Sequence, residues 1–425
     1  MNMQTSLRGI AKKASECPKH RFQDLMGLLN EENLRWSCQF LKKKAAAGVD
    51  GVDYAMYMEN IHENIADMVN SLKAGTYKAK LVRRKWIPKG KDKRRPLGIP
   101  AISDKLLQML VSKILQAIYE EDFLDCSVGY RPKLGPLDAV KKATCELQFG
   151  KYSVVVEADI KGFFNNMNHD WLIRMLELRI DDKRLLRLIR KWLRAGVLEE
   201  TGEVVHPTTG TPQGGVVSPV LANVYLHYSL DLWFEKIIRR NCVGEAMMIR
   251  YCDDFICAFQ YKSEAESFYK ELGGRLNKFN LEVATEKTNI IPFSRFEKEN
   301  DRSFDFLSFE FRWGESRKGK RIVTRRTSRK KLRESVANFT DWIKRHRGLK
   351  LRVLIKKLNA KYRGYWNYYG VIGNYASLMD FDKQTKLLLF KWLNRRSQRL
   401  SYNIRTFAQM LESVGLEQPR ITEKY

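Results

Sequence analysis

The chain of 425 residues is 44% hydrophobic, enough apolar mass for about two or three subdomains with buried cores. Its 77 Lys and Arg against 49 Asp and Glu leave a formal charge of +28, which favours a polyanionic partner. No apolar run approaches the ~20 residues of a membrane span, no signal-peptide core opens the sequence, and the seven cysteines contain no C-x-x-C pair. Membrane, secreted, zinc-knuckle and redox-dithiol classes are therefore set aside, and the scattered thiols fit a reducing cytosol.

Before about residue 20 the sequence is a basic, weakly patterned leader. Residues 21 to 75 read as helices carrying the apolar stripe Leu25, Leu28, Leu29, Leu34, Phe40 and Leu41, broken by a glycine turn over residues 47–52. Residues 81–89 and 94–100 predict a β-hairpin. Lys89 and Arg95 flank its Gly-Lys-Asp-Lys tip, so both cations can reach a triphosphate lying across the sheet. A basic hairpin tip taken alone is more often solvated decoration. Residues 104–120 have helical apolar spacing, and residues 152–158 form a β-branched strand ending in Asp159, followed by Ile160-Lys161-Gly162-Phe163-Phe164.

Residues 210–219 are a Gly/Pro-rich loop around Gln213 that leads into a helical pattern over residues 220–226. Its glycines allow close backbone approach to a template or nucleotide, and a helix start presents free amides there. The apolar runs Met247–Ile249 and Phe255–Phe259 predict two short buried strands, interrupted only around Asp253-Asp254. Two adjacent like charges are costly to bury unless cations neutralise them. An Asp pair in a turn is usually a solvated loop; beside a strand-end Asp159 it also supplies what a two-metal phosphoryl-transfer site needs. From Arg312 to Lys361 cations are dense, with Leu332, Val336, Phe339, Trp342 and Ile343 near helical spacing. Aromatics then interleave with cations over residues 358–369.

The order of strand Asp159, Gln213 loop and helix, and Asp253-Asp254 hairpin resembles the palm of reverse transcriptases. Residues 358–369 and 391–396 resemble the thumb and maturase signature of group II intron proteins. Over about residues 20–410 the chain is similar to group II intron-encoded reverse transcriptases that are also maturases. The resemblance implies an α+β right-hand polymerase, with fingers and palm built of antiparallel sheet plus helices, followed by an α-helical thumb/maturase domain. It implies an N-terminal extension and first fingers helices over 1–75, fingers and palm over 76–312, and thumb/maturase over 313–425.

It also implies roles. Asp159, Asp253 and Asp254 are the catalytic residues and, with the Ile160 carbonyl, the ligands of two Mg²⁺ ions, for which Mn²⁺ is a substitute. Lys89 and Arg95 clamp the incoming nucleotide, and Gln213 lies in the loop facing it. Phe164 is the aromatic wall against the sugar 2′-OH, while Phe163 turns into the core. Lys287 lies near the leaving pyrophosphate or is a solvated loop lysine. Ser127–Pro132 resembles the family's S-x-G-F-R-P segment, where Arg131 reads equally as a structural tie or a template contact. Arg329, Lys330, Lys331, Lys356, Lys357 and Arg363 are the RNA-binding candidates.

Partners implied are intron RNA, an RNA or DNA template-primer and dNTPs, with no membrane; a homodimer is compatible, and bacterial cytoplasm or nucleoid is the expected location. Three departures from the family pattern stand out: Asn165 for Asp, Cys252 for Ala and Ser308 for Gly. The sequence ends at Tyr425 without room for a Cys/His-rich endonuclease domain, so no second-strand cut is expected. Two alternatives share most of these residues: a host-domesticated enzyme of DNA repair or phage defence, and a splicing-only maturase. Intact Asp159, Gln213, Asp253 and Asp254 argue against the last.

Overall fold

A computed structural model describes residues 3–88, 94–296, 302–316, 318–396 and 401–424. Helices and sheets mix throughout, an α+β chain. Contacts divide it into two compact units. One holds Met1–Ala139, Ala158–Cys257 and Ser263–Asn289; the other holds Val140–Glu157, Ala258–Lys262 and Ile290–Tyr425.

In the first unit, strands β1 (Val82–Pro88) and β2 (Arg94–Ile99) form the expected antiparallel hairpin, with Ile87 opposite Arg95. Strand β3 (Val154–Asp159) follows the helix Pro136–Phe149. The short β4 (Val197–Leu198) pairs in parallel with β1 and is bordered by β5 (Val204–Val205). Strands β6 (Ala246–Tyr251) and β7 (Asp254–Phe259) are the two apolar runs that flank the Asp pair. With β8 (Asn289–Pro292) they make a sheet ordered β6-β7-β3-β8, and the division between units passes through β3, β7 and β8 themselves. The helix Ile102–Tyr119 is buried on most of its surface, as its near-continuous apolar positions require.

The leader is not unstructured. Met3–Glu16 is a helix that buries Met3 and Ala14 and packs on Ile102–Tyr119. The buried Arg179 fixes the end of this segment by donating to the carbonyls of Ala14, Cys17, Pro18 and His20. Two buried apolar residues are too few to give a helical period in the sequence, and an anchor 165 residues away cannot be read locally.

In the second unit, β9 (Phe304–Phe306), β10 (Phe309–Glu315) and β11 (Arg321–Thr327) form an antiparallel sheet. The 312/313 boundary drawn from the sequence therefore falls inside β10, and helices resume after β11 at Arg329–His346, Leu351–Tyr369, Tyr375–Leu393 and Ile404–Ser413. Most aromatics of residues 358–369 are core: Tyr362 and Trp366 are fully buried, and Tyr365 stacks on Phe381 at 3.8 Å. The β9–β10 turn puts both Leu307 and Ser308 at positive φ (49° and 71°), the two-residue hairpin geometry that favours glycine. Ser308, standing where the family pattern has Gly, thus costs backbone strain.

Candidate active site

The site is set by how β3 meets β7. Ser153, just before β3, donates its amide to the carbonyl of Phe259, the last residue of β7. The start of β3 therefore lies at the end of β7, and the two neighbours run antiparallel. It follows that Asp159, ending β3, shares one end of the sheet with Asp254, which begins β7, and with Asp253 in the turn before it. Asp159 and Asp253 are half-buried and Asp254 is exposed. With Asp253 only half-buried and Asp254 exposed, the adjacent like charges avoid most of the desolvation cost of full burial.

The turn is a two-residue hairpin, Cys252-Asp253, with Cys252 at φ 60° and Asp253 not in the positive region. This matches a type II′ turn, in which only the first central residue has positive φ. A buried, non-glycine residue held there stores strain of about 1–2 kcal/mol. Cys252 is thus a turn residue, and burial pushes its thiol up to about 12.

Close packing fixes this turn. A Cβ on Gly129 would lie 2.3 Å from the Cys252 amide nitrogen, so only glycine fits. Val128 donates its amide to the Arg250 carbonyl at 2.9 Å, and Arg250 donates its own amide to Cys126 at 2.7 Å. The Arg250 side chain is fully buried against Asp231, with contacts of 2.7 and 2.6 Å. It also donates to Asn223 Oδ1 (3.3 Å), the Cys252 carbonyl (3.0 Å) and Ser127 Oγ (2.6 Å). Asp231 lies on a π-helical turn, His227–Asp231, that continues the helix Ser218–Leu226. Sequence reading missed this cluster. Its one signal was an arginine inside an apolar strand, a placement that requires a buried partner.

A second set of contacts assembles the nucleotide-side candidates. Phe163 is buried and Phe164 half-buried, edge-on to Tyr130 with ring centroids 6.2 Å apart. Thr211 donates its amide to the Phe164 carbonyl at 2.8 Å, and Gly98 donates to the Gln213 carbonyl at 2.6 Å. The Gln213 loop therefore spans from the Phe164 turn to β2, the strand that carries the exposed Arg95. Gly210 (φ 84°) and Gly214 (φ 114°) are required in it, since a Cβ would meet the Phe164 carbonyl at 2.7 Å and the Gly98 carbonyl at 2.5 Å. Buried His169 braces the same loop through Nε2 and the Gly210 carbonyl, 2.6 Å apart.

Lys89 lies outside the described residues, as does the side chain of Lys287, whose backbone is in the turn Thr285–Lys287. Arg131 is a structural tie, donating to Glu120 and to the carbonyls of Leu124 and Ser127. The Asp159 carbonyl accepts from Ala284, and Lys161 donates to Glu282. Backbone groups alternate sides along an extended segment, so the Ile160 carbonyl points away from residues 282–284.

Residues 87–311 match the family model described as reverse transcriptase (RNA-dependent DNA polymerase). The chain belongs to the reverse transcriptase family. Residues 321–408 match the model described as group II intron, maturase-specific domain, so this reverse transcriptase carries the second signature as well. Group II intron-encoded protein LtrA of Lactococcus lactis subsp. cremoris is 32% identical over 404 residues, covering 75% of this chain and 65% of LtrA. Protein YkfC of Escherichia coli (strain K12) is 29% identical over 371 residues, covering 78% of this chain and 94% of YkfC. An uncharacterized 91 kDa protein in the cob intron of Schizosaccharomyces pombe is 39% identical over 173 residues, 41% of this chain and 21% of that protein. The chain thus spans just under two thirds of the length of LtrA.

Reverse transcriptases use divalent metal ions, and the donors here suit them: three carboxylates and a peptide carbonyl are the hard oxygen ligands that Mg²⁺ takes. Among the described residues no three His, Cys, Asp or Glu side chains are gathered into a metal cage. The backbone brings the three carboxylates to one sheet end.

The RNA-binding candidates divide. Arg329, Lys330, Lys356 and Lys357 are exposed and form no ion pair among the described residues, whereas Lys331 pairs with Glu334 and Arg363 with Glu417, each at 2.9 Å. Part of the basic run is structural: Arg325 is held by Glu423 and Arg326 by Glu310. No helix among the described residues is long and apolar enough to cross a membrane.

Proposed function

We propose that the chain is an RNA-directed DNA polymerase of the group II intron type, working by two-Mg²⁺ nucleotidyl transfer and also binding intron RNA as a maturase in splicing and mobility. The observation that carries this reading is the antiparallel β3–β7 neighbourhood, which sets Asp159 at the same sheet end as the Asp253-Asp254 turn. Two metal ions, when bound, lower the pKa of a primer 3′-OH and neutralise the triphosphate. Asp159, Asp253, Asp254 and the Ile160 carbonyl would hold them. Phe164 walls the sugar, and Gln213, on a loop braced between Phe164 and β2, lies beside the incoming nucleotide. Arg95, together with Lys89 and Lys287, neutralises phosphates. Arg329, Lys330, Lys356 and Lys357 meet RNA phosphates, and Lys331 and Arg363, already paired with Glu334 and Glu417, contribute less. Template-primer, dNTPs and intron RNA are the partners, and the cytoplasm or nucleoid is the proposed place of action.

The test is Asp253→Asn, which removes a ligand's charge without touching the basic surface. DNA synthesis on a primed RNA template should fall at least about 100-fold, with RNA affinity nearly unchanged. Near-normal synthesis by the variant would refute the two-metal assignment.

A further inference from the structure

We propose that Arg250, Asp231 and Asn223 form a positioning node that ties the carboxylate turn to the Tyr130–Phe164 wall. In this way placement of the catalytic carboxylates and rejection of ribonucleotides both depend on residues that touch neither metal nor nucleotide. The proposal rests on the polymerase reading above. A guanidinium has five N–H donors, and here five contacts reach five acceptors: both Asp231 oxygens, Asn223 Oδ1, the Cys252 carbonyl and Ser127 Oγ. Every donor is used and the side chain is fully buried, so the guanidinium has one orientation.

Two of those contacts lead outward to the site. The Cys252 carbonyl belongs to the peptide that links Cys252 to Asp253, so Arg250 sets the tilt of the peptide plane from which Asp253 projects. That peptide follows a residue at φ 60°, a conformation that persists only where its surroundings impose it. Asn223 leads the other way. Its Oδ1 accepts from Arg250 while its Nδ2 donates to the Gly129 carbonyl at 2.8 Å. Gly129 precedes Tyr130, itself at φ 61°, and the Tyr130 ring leans edge-on against Phe164. Between the two branches Gly129 lies flush on the Cys252 amide, so neither moves without the other.

Because one amide carries both roles, a single substitution separates them. Asn223→Asp keeps the acceptor for Arg250 and replaces the donor to Gly129 with an oxygen that repels its carbonyl. Full-length protein, template-primer and single nucleotides give the rNTP/dNTP incorporation ratio. A primer ending in a dideoxynucleotide gives the relative binding of rNTP and dNTP without turnover. Discrimination by the variant should drop about tenfold in both assays, the size expected for a displaced group lining a pocket. Discrimination within twofold of wild type in a variant that melts cooperatively would overturn the link to the wall.

The other branch is tested by the paired change Arg250→Met with Asp231→Leu, which removes the buried charges together so that neither is stranded. Its melting temperature should stay near that of wild type, while kcat for dNTP falls about 100-fold with template-primer affinity unchanged, as expected for a catalytic group misplaced by about 1 Å. Wild-type kcat in a variant with wild-type melting would reduce the node to a packing device and refute the proposal. Wild-type protein run in parallel separates the two claims. If it makes no DNA, the polymerase reading fails by itself, and the dideoxy-primer binding assay still decides the node.

Discussion

Neutralising Arg329, Lys330, Lys356 and Lys357 together to Gln tests whether the exposed cations of the maturase-specific segment meet RNA. These four are exposed and form no ion pair among the described residues, so each is available to displace a counterion from a phosphate. Each phosphate contact contributes about 0.9 to the slope of log affinity against log salt on a duplex, and about 0.7 on a single strand. Losing four contacts should flatten the slope by about 3, which is about two decades of the affinity change between roughly 50 and 200 mM salt. Filter binding of a structured intron RNA at several salt concentrations measures this directly. A control with Lys331→Gln and Arg363→Gln should move the slope far less, because Glu334 and Glu417 already neutralise those two. Single-nucleotide incorporation fidelity should survive the quadruple change, since Arg95, Phe164 and the Asp trio belong to the other compact unit. An unchanged slope in the quadruple variant would mean that these cations are only solvated, and the maturase half of the reading would fail.

Phe164→Val should remove the wall against the 2′-OH, so that ribonucleotides compete about 10- to 100-fold better in single-nucleotide incorporation; unchanged selectivity would place the gate elsewhere. Gly129→Ala must push a methyl group into the Cys252 amide, and both synthesis and melting temperature should fall, by about 2–4 kcal/mol in stability; a wild-type melt would contradict the packing described. Burial pulls the His227 imidazole down to about 4, so the fold holds it neutral while the unfolded chain binds a proton below about 6.5. Its folded pKa is depressed, so stability is lost as pH falls from about 6.5 toward 4, by about 2 kcal/mol at pH 5. His227→Asn should remove that part of the difference between melts at pH 7 and pH 5, and an identical pH dependence in the variant would discount the group.

The elements legible in the sequence were those whose period is local. The β-branched run ending in Asp159, the paired apolar runs around Asp253-Asp254 and the long apolar helix at 102–119 appear where their patterns place them. What the sequence concealed depends on contacts between distant residues. Arg250 meets Asp231 across 19 positions and Ser127 across 123, and no pattern on either segment announces its partner. Arg325 and Arg326 lie in the dense basic run, where composition cannot distinguish a cation facing solvent from one facing Glu423 or Glu310. Tyr130 and Cys252 hold positive φ although neither is Gly, Asn or Asp, so residue type gave no hint of their turns.

A buried arginine three residues before an Asp pair would ordinarily threaten that pair's function, because a bare cation nearby discharges the field that attracts metal ions. Here Asp231 cancels the guanidinium charge at two oxygens, and the remaining donors go to neutral acceptors at Asn223, Ser127 and the Cys252 carbonyl. What Arg250 delivers to the turn is therefore geometry with little net charge. The carboxylates keep their negative potential at the surface, where Asp254 is exposed and cations can arrive from water. Lysine at position 250 would retain the charge balance with Asp231 but lose the planar fork, so Arg250→Lys should preserve folding better than synthesis. Equal loss of both, measured as melting temperature and kcat on the same preparation, would show that charge pairing and not orientation is what the site requires.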